Sequence, residues 1–389
     1  MTETDDDVRL TILHTSDWHL GRGFGLFGAD DATKLRRQRF TVVEDIIARA
    51  NQEADLLLVA GDIFDTGVPA DEIWRGLALR LKALKTDCQA FLLPGNHDPI
   101  TNASPFYRTH PFRAELRSNV HVVDREDFVY ELPDRGAVLY AVAVDSRAGA
   151  DDPMRKLPKR EPCDERIRIA MAHGQAFTFG DSASPHPIDA SAAAALGFDY
   201  VAIGDFHDPK CMAESNANGV GRVQYCGTPE PMTFGEGGAG HVLIVGMRPH
   251  GLPPRVEQVR VGGYRWRQET CESLENLEAL VDDPTLPKTV LRLTLDFSTT
   301  LPGRRRVDGL IKRLQGTDVE TGRVGILEEL LDRVRVSDAA YAQGLPADAP
   351  PSLEKVHKHL LTLLHDPEQG ERAKAALRHL HTLASGDNP

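Results

Sequence analysis

The chain has no apolar run long enough to cross a bilayer. Its longest, such as Leu56–Ala60 and 242–245, fall far short of the ~20 residues such a helix needs. Cysteine is scarce: Cys88, Cys163, Cys211, Cys226 and Cys271 are scattered, and no two form a C-x-x-C pair. No disulfide framework or zinc–thiolate site is implied, which suits a reducing compartment. Basic residues are outnumbered, with 45 Lys plus Arg against 58 Asp plus Glu and a net charge of −13. So acidic a chain does not hold nucleic acid by bulk charge alone. Internal repeats and low-complexity segments are missing too. The stretch 1–7 is polar and acidic, unlike a secretory signal. The expectation is a cytoplasmic chain without membrane association.

What is present is an ordinary globular composition, 41% hydrophobic and 26% charged, which excludes a disordered or fibrous protein. At ~100–200 residues per domain, 389 residues predict two domains with room for an appendage. Strand patterns at 8–13, Leu56–Ala60, 91–93, 137–144, 167–172, 200–203, Val223–Tyr225 and His241–Met247 alternate with helical spacing at 35–50, 70–84 and 189–196. Such alternation predicts an α/β layered first domain over 8–247. A turn-rich break at 248–254 precedes a smaller α/β module at 255–343. That module has strand patterns at 255–261 and 290–295, and helical ones at Leu274–Val281, 306–314 and 324–331. A proline-rich linker at 344–351 leads to two amphipathic helices over 352–385.

Five short polar motifs each follow an apolar strand: Asp17-x-His19, Gly61-Asp62-x-x-Asp65, Gly95-Asn96-His97-Asp98, His173-Gly174 and Gly204-Asp205-Phe206-His207. Side chains at the carboxyl ends of strands gather at one edge of an α/β sheet. Carboxylates, imidazoles and one amide make a mixed O/N ligand set, which favours manganese, iron or zinc over magnesium or calcium. The candidates are too many for one ion. Two ions ~3.5–4 Å apart, sharing a carboxylate, is an arrangement used for phosphoester hydrolysis.

In this order the motifs resemble the calcineurin-like metallophosphoesterases, over residues ~8 to ~247. His14-Thr-Ser-Asp-Trp-His-Leu-Gly21, Leu93-Pro-Gly-Asn-His-Asp98 and Tyr225-Cys-Gly-Thr-Pro-Glu-Pro-Met-Thr-Phe234 resemble, within that superfamily, the SbcD-type DNA repair nucleases. The resemblance implies a layered β-sandwich flanked by helices, a smaller α/β capping domain and a C-terminal helical tail. It implies that Asp17, His19 and His207 bind a first metal, that Asp62 bridges, and that Asn96, His173 and Asp205 bind a second. His97 would protonate the leaving oxygen or stabilise the transition state, with Asp98 orienting its ring. Position 205 departs from the superfamily, which usually has His there. A carboxylate at that place adds negative charge and favours harder ions.

Other residues carry less. Asp65 reads equally as a support of the site or as a helix cap. His14 reads as a structural histidine. Arg22, Lys34, Arg36, Arg37 and Arg39 follow the first motif, and Arg304, Arg305 and Arg306 cluster in the second module. Each group reads either as a solvated face or as a surface touching phosphates of the DNA backbone. The tail is a local helical hairpin or, as the resemblance implies, the dock for an SbcC-like coiled-coil ATPase of the SMC kind. The expectation is therefore an exo/endonuclease acting on DNA in repair or defence. It would use two divalent ions, manganese foremost and iron, zinc or magnesium as alternatives. Its partners would be DNA, that ATPase and a second copy of the chain. The alternatives are a phosphoesterase for small molecules or cyclic nucleotides, and a weakly active structural subunit.

Overall fold

The computed structural model describes residues 7–101, 106–125, 128–177, 186–212, 221–316, 323–336, 344–345 and 349–384. Most of the acidic stretch at 1–7 and the middle of the linker at 344–351 lie outside them. Two compact units divide the chain, Met1–Trp266 and Arg267–Pro389.

The first unit holds two six-stranded sheets. Strands β1 (Leu10–Thr15), β2 (Leu56–Ala60), β3 (Gln89–Leu93) and β4 (Val120–Val122) run parallel in one sheet. In the other, β5 (Phe128–Leu132) pairs antiparallel with β6 (Ala137–Ala141), which runs parallel with β7 (Ile167–His173). A short pair, β8 (Gln175–Phe177) and β9 (Pro187–Asp189), precedes β10 (Tyr200–Gly204), which runs parallel with β7. β11 (Lys210–Met212) and β12 (Val223–Tyr225) complete this second sheet, in the order β11-β12-β10-β7-β6-β5. β13 (His241–Met247) and β14 (Arg255–Arg260) close the first sheet beside β1, in the order β14-β13-β1-β2-β3-β4.

Strands buried on both faces explain the unbroken apolar runs. All five residues of β2 and all seven of β7 are buried. One apolar core joins the sheets, with Leu57, Val59 and Leu92 from one and Met171 and Ala202 from the other. Helix α1 (Ala29–Glu53) adds Leu35, Val42, Val43, Ile46 and Ile47 to the buried set. The predicted sandwich flanked by helices is what forms.

Two expectations differ. The strand placed at the start of the second module is β14, which pairs antiparallel with β13 from His241↔Arg260 to Gly246↔Arg255. The break at 248–254 is thus a hairpin turn within the first sheet, and turn composition alone cannot tell a hairpin from a boundary. The stretch 324–331, expected to be helical, is a strand, Ile326–Asp332. It runs parallel to Thr289–Leu295, and that pairing decides an apolar run too short for its period to decide.

The second unit carries that small sheet and two helices, Leu274–Val281 and Leu301–Gln315, on one core of Leu277, Leu291, Leu293, Val307 and Leu314. Thr300 caps the longer helix by accepting from Gly303 N, and Gly316 ends it in the left-handed region at φ 67°. Helices Pro351–Leu363 and Gly370–Ala384 form the tail hairpin. Among the described residues, no helix is long and apolar enough to cross a membrane.

Candidate metal centre

All five motifs lie where parallel strands end: after β1, β2 and β3 in one sheet, and at the ends of β7 and β10 in the other. The loops after β1 and β2 are zipped together. Asp17 N donates to Gly61 O at 3.0 Å, His19 N to Asp62 O at 2.9 Å, and Leu20 N to Ile63 O at 2.9 Å. Gly61 has φ 99°, and a Cβ there would collide with the His173 ring. A Cβ on Gly95 would strike the Asp62 carboxylate. These glycines let backbone approach the ligand side chains.

Asp62 sits at the centre. Its Oδ2 is 3.5 Å from His19 Nε2, and its Oδ1 is 3.5 Å from His173 Nε2. Ligands of one ion with bonds of ~2.1 Å lie about 3–3.5 Å apart, so each oxygen is spaced to share an ion with one histidine. Asp17, His19 and His207 form one convergent group, and Asp17, Asp62 and His173 another. The Asn96 amide lies 3.0 Å from His173 Nε2, and Asp205 Oδ1 lies 3.8 Å from it. The seven expected ligands thus form one connected cluster.

The donor atoms fit divalent ions. Asp17 Oδ2 accepts from Ser16 Oγ and from Asp205 N, while its Oδ1 is buried without a hydrogen-bond partner among the described residues. His19 Nε2 is likewise buried without a hydrogen-bond partner among the described residues. Buried polar atoms left in that state are costly unless something coordinates them. Burial drives the His19 pKa down to about 4, which leaves the neutral ring a metal requires. Burial also pushes Asp62 well above the usual carboxylate range and raises Asp205, the mark of carboxylates short of positive charge. For His173, burial works downward, but Asp62, Asp17 and Asp205 outweigh it and hold the ring up at about 9.

His97 sits at the rim, its side chain 42% exposed and its ring centroid 4.6 Å from that of His19. Asp98 does not orient it. That carboxylate is fully buried, accepting from Gly95 N at 2.7 Å, Phe64 N at 2.9 Å and Tyr107 Oη at 2.6 Å. Its contacts fix the loop that carries Asn96. Asp65 takes the place expected of Asp98: its backbone oxygen lies 3.4 Å from His97 Nδ1, and its Oδ1 lies 3.3 Å from His19 Nδ1 and 3.2 Å from Arg22 Nη1. His14 is a structural residue, with Nδ1 2.9 Å from Tyr200 Oη.

Of the basic clusters, Arg22 touches the site through Asp65. Arg36 donates to Gly23 O at 3.1 Å, and Arg37 is exposed. Arg39 is not at the surface at all, but 3% exposed. In the second unit Arg304 pairs with Asp308 and Asp332, Arg306 pairs with Glu278, and Arg305 is exposed.

Three participants escaped the sequence reading. Glu236 Oε1 lies 2.7 Å from His207 Nδ1. Thr228 Oγ1 donates to Asp17 O at 2.8 Å. Arg39 donates to Trp18 O at 2.6 Å, Asp17 O at 3.1 Å and Glu230 O at 2.9 Å. Thr228 and Glu230 do lie in the 225–234 stretch singled out above, but nothing in its letters ties it to these partners.

A sandwich of two mixed sheets with carboxylates, imidazoles and an amide converging beyond its parallel strands defines a metal-dependent phosphoesterase. Residues 10–209 match the model of the calcineurin-like phosphoesterases, and the chain belongs to that family. It is also similar to proteins named as the SbcD component of the nuclease SbcCD. The one from Escherichia coli K12 is 27% identical over 292 residues, covering 65% of this chain and 68% of the relative. Those from Rhodobacter capsulatus and Bacillus subtilis are 28% and 27% identical, covering 63% and 62% of this chain and 68% and 67% of the relatives.

Proposed function

We propose that the chain is a two-metal phosphodiesterase acting on DNA, the nuclease subunit of a cytoplasmic repair or defence complex. The placement of Asp62 between His19 and His173, each 3.5 Å away, carries the two-ion part of this reading. The DNA part rests on relatives that carry the name of a nuclease component. Asp17, His19 and His207 would hold one ion, Asn96, His173 and Asp205 the other, with Asp62 shared. Divalent ions, manganese foremost for this donor set, neutralise phosphate charge and activate water. His97, exposed at the rim and steadied by Asp65, is the group placed to hand a proton to the leaving oxygen.

Arg22, Arg36 and Arg37 are the phosphate contacts this reading favours. Arg304 and Arg306 are already neutralised by carboxylates of their own unit. With a net charge of −13, the chain would gain DNA affinity from a partner, and the tail hairpin is the candidate dock for an SMC-type coiled-coil ATPase. Val356 and Leu383 are 45% and 67% exposed on its helices.

The test incubates the purified chain and manganese with linear, hairpin and single-stranded DNA, beside His97→Ala and a generic phosphodiester. DNA cleavage that disappears in His97→Ala is the expected result. Turnover of the generic substrate with DNA intact would favour a small-molecule phosphoesterase. Bound metal with no turnover at all would favour a structural subunit.

A further inference from the structure

We propose that Glu236 is a positioning residue for the ion held by Asp17, His19 and His207, setting the His207 ring in the tautomer that leaves Nε2 free to bind. The inference rests on the two-ion reading and deepens it. Glu236 lies 29 residues after His207 and beyond the 10–209 stretch that matches the family model.

The geometry is that of a carboxylate holding a histidine from behind. Glu236 Oε1 is 2.7 Å from His207 Nδ1, while its Oε2 accepts from Met232 N at 2.7 Å and Thr233 N at 3.4 Å. The carboxylate is therefore fixed by backbone before it meets the ring, and its side chain is only 10% exposed. With Nδ1–H donated to Glu236, the lone pair resides on Nε2, the nitrogen on the far side of the ring. A carboxylate in that position also makes the imidazole a stronger donor.

The same segment grips its target at further points. Thr228 N donates to His207 O at 2.9 Å, and Asp208 Oδ1 accepts from Gly238 N at 3.0 Å. Thr228 Oγ1 reaches across to Asp17 O, so two ligands of one ion lean on residues 228–238. The other ion's histidine is held differently: His173 Nδ1 faces a neutral backbone oxygen, Ala60 O, at 2.9 Å. Loss of Glu236 should therefore weaken one ion and spare the other. Because residues 228–238 support ligands of that ion alone, the state of the His207 Nδ1 proton is what separates ring positioning from support of the turn.

Full-length wild type, Glu236→Ala and Glu236→Gln, each stripped of metal, are titrated with manganese by calorimetry. The wild type is expected to bind two ions. Glu236→Ala should lose about 10–100-fold in affinity at one site and keep the other. Glu236→Gln, whose amide oxygen still accepts from Nδ1, should lose less. With diamagnetic zinc bound, long-range ¹⁵N–¹H spectra should show the His207 Nδ1 proton in the wild type and its shift or loss in Glu236→Ala. Unchanged affinities with an unchanged Nδ1 signal would overturn the proposal. Equal weakening of both sites in the two variants would also overturn it, as a general structural role. If Glu236→Ala fails to fold, Glu236→Gln decides by the same two readouts. A wild type that binds fewer than two ions would instead defeat the two-ion reading itself.

Discussion

Arg39→Ala should cost the first unit about 3 kcal/mol of stability. Arg39 lies on the buried stripe of α1, among Leu35, Val42 and Val43, and its guanidinium donates to the backbone oxygens of Trp18, Asp17 and Glu230. Thr228 Oγ1 lies within reach of both Asp17 O, at 2.8 Å, and Glu230 O, at 3.0 Å, but has one proton to give. The substitution therefore orphans Trp18 O and one of those two. At about 1–3 kcal/mol per buried unpaired group, the loss is about 2–6 kcal/mol. Burial that pushes the guanidinium pKa down to about 10 marks a desolvation cost that the substitution removes, which places the net loss in the lower half of that range. The assay is urea unfolding followed by tryptophan fluorescence. Two of the chain's three tryptophans, Trp18 and Trp74, are buried in the first unit and report on it, whereas Trp266 stands at its edge and is replaced by Phe in the assayed background. Arg39→Lys, with one nitrogen to serve three directions, should fall between. An Arg39→Ala midpoint equivalent to less than about 0.5 kcal/mol of change would refute the accounting.

His97→Ala should lower turnover by about 10²–10⁴ while both ions still bind, measured by kinetics beside metal titration. Asp62→Asn keeps the shape but removes the shared charge, so manganese calorimetry should show both sites weakened, not one. The pH dependence of ion uptake follows from His173. In the chelated chain its ring is protonated below about 9, so binding must displace a proton. Affinity should then rise with pH up to about 9 and level off above it. Calorimetry in buffers of different ionisation enthalpy should count at least one proton released near neutral pH, more where the raised Asp62 also gives one up, and close to none well above 9. Chelation should also lower the melting temperature of the first unit and manganese should restore it, because ligand binding to the folded state alone is stabilising.

The clustering of the candidate ligands was legible because each stands within a few residues of an apolar strand end. Asp17, Asp62, Asn96, His173 and Asp205 inherit their placement from β1, β2, β3, β7 and β10, so reading the strands placed the residues. The supports were not legible. Arg39 sits in a run of basic letters and reads as solvated, because burial on a helix is normally written in apolar residues. Glu236 and Thr228 act through contacts spanning 29 and 211 residues, and no local pattern announces such pairs. Asp98 misled because adjacency to His97 suggested contact, whereas its side chain turns inward to Tyr107 and Phe64.

Those hidden supports answer a difficulty the ligands create. Six described non-glycine residues have positive φ, and four are candidate ligands: Asp17 at 54°, His19 at 41°, Asp62 at 52° and Asp205 at 105°. Each such residue costs on the order of 1–3 kcal/mol, so the site as a whole stores several. Asp and His tolerate this region better than most side chains, but it still costs energy, and the surrounding contacts must hold them. The zipper from Asp17–Gly61 to Leu20–Ile63 continues as Asp65 N donates to Leu20 O at 3.0 Å, tying the first two loops into one body. Arg39 and Thr228 both converge on Asp17 O, at the most buried of the four. Asp205 N closes the ring by donating to Asp17 Oδ2 at 3.2 Å, linking the second sheet's loop to the first. Strain concentrated at the ligands and hydrogen bonds concentrated on the same backbone are two sides of one arrangement. The strand ends aim the donors, and the frame around Asp17 keeps them from relaxing away from one another.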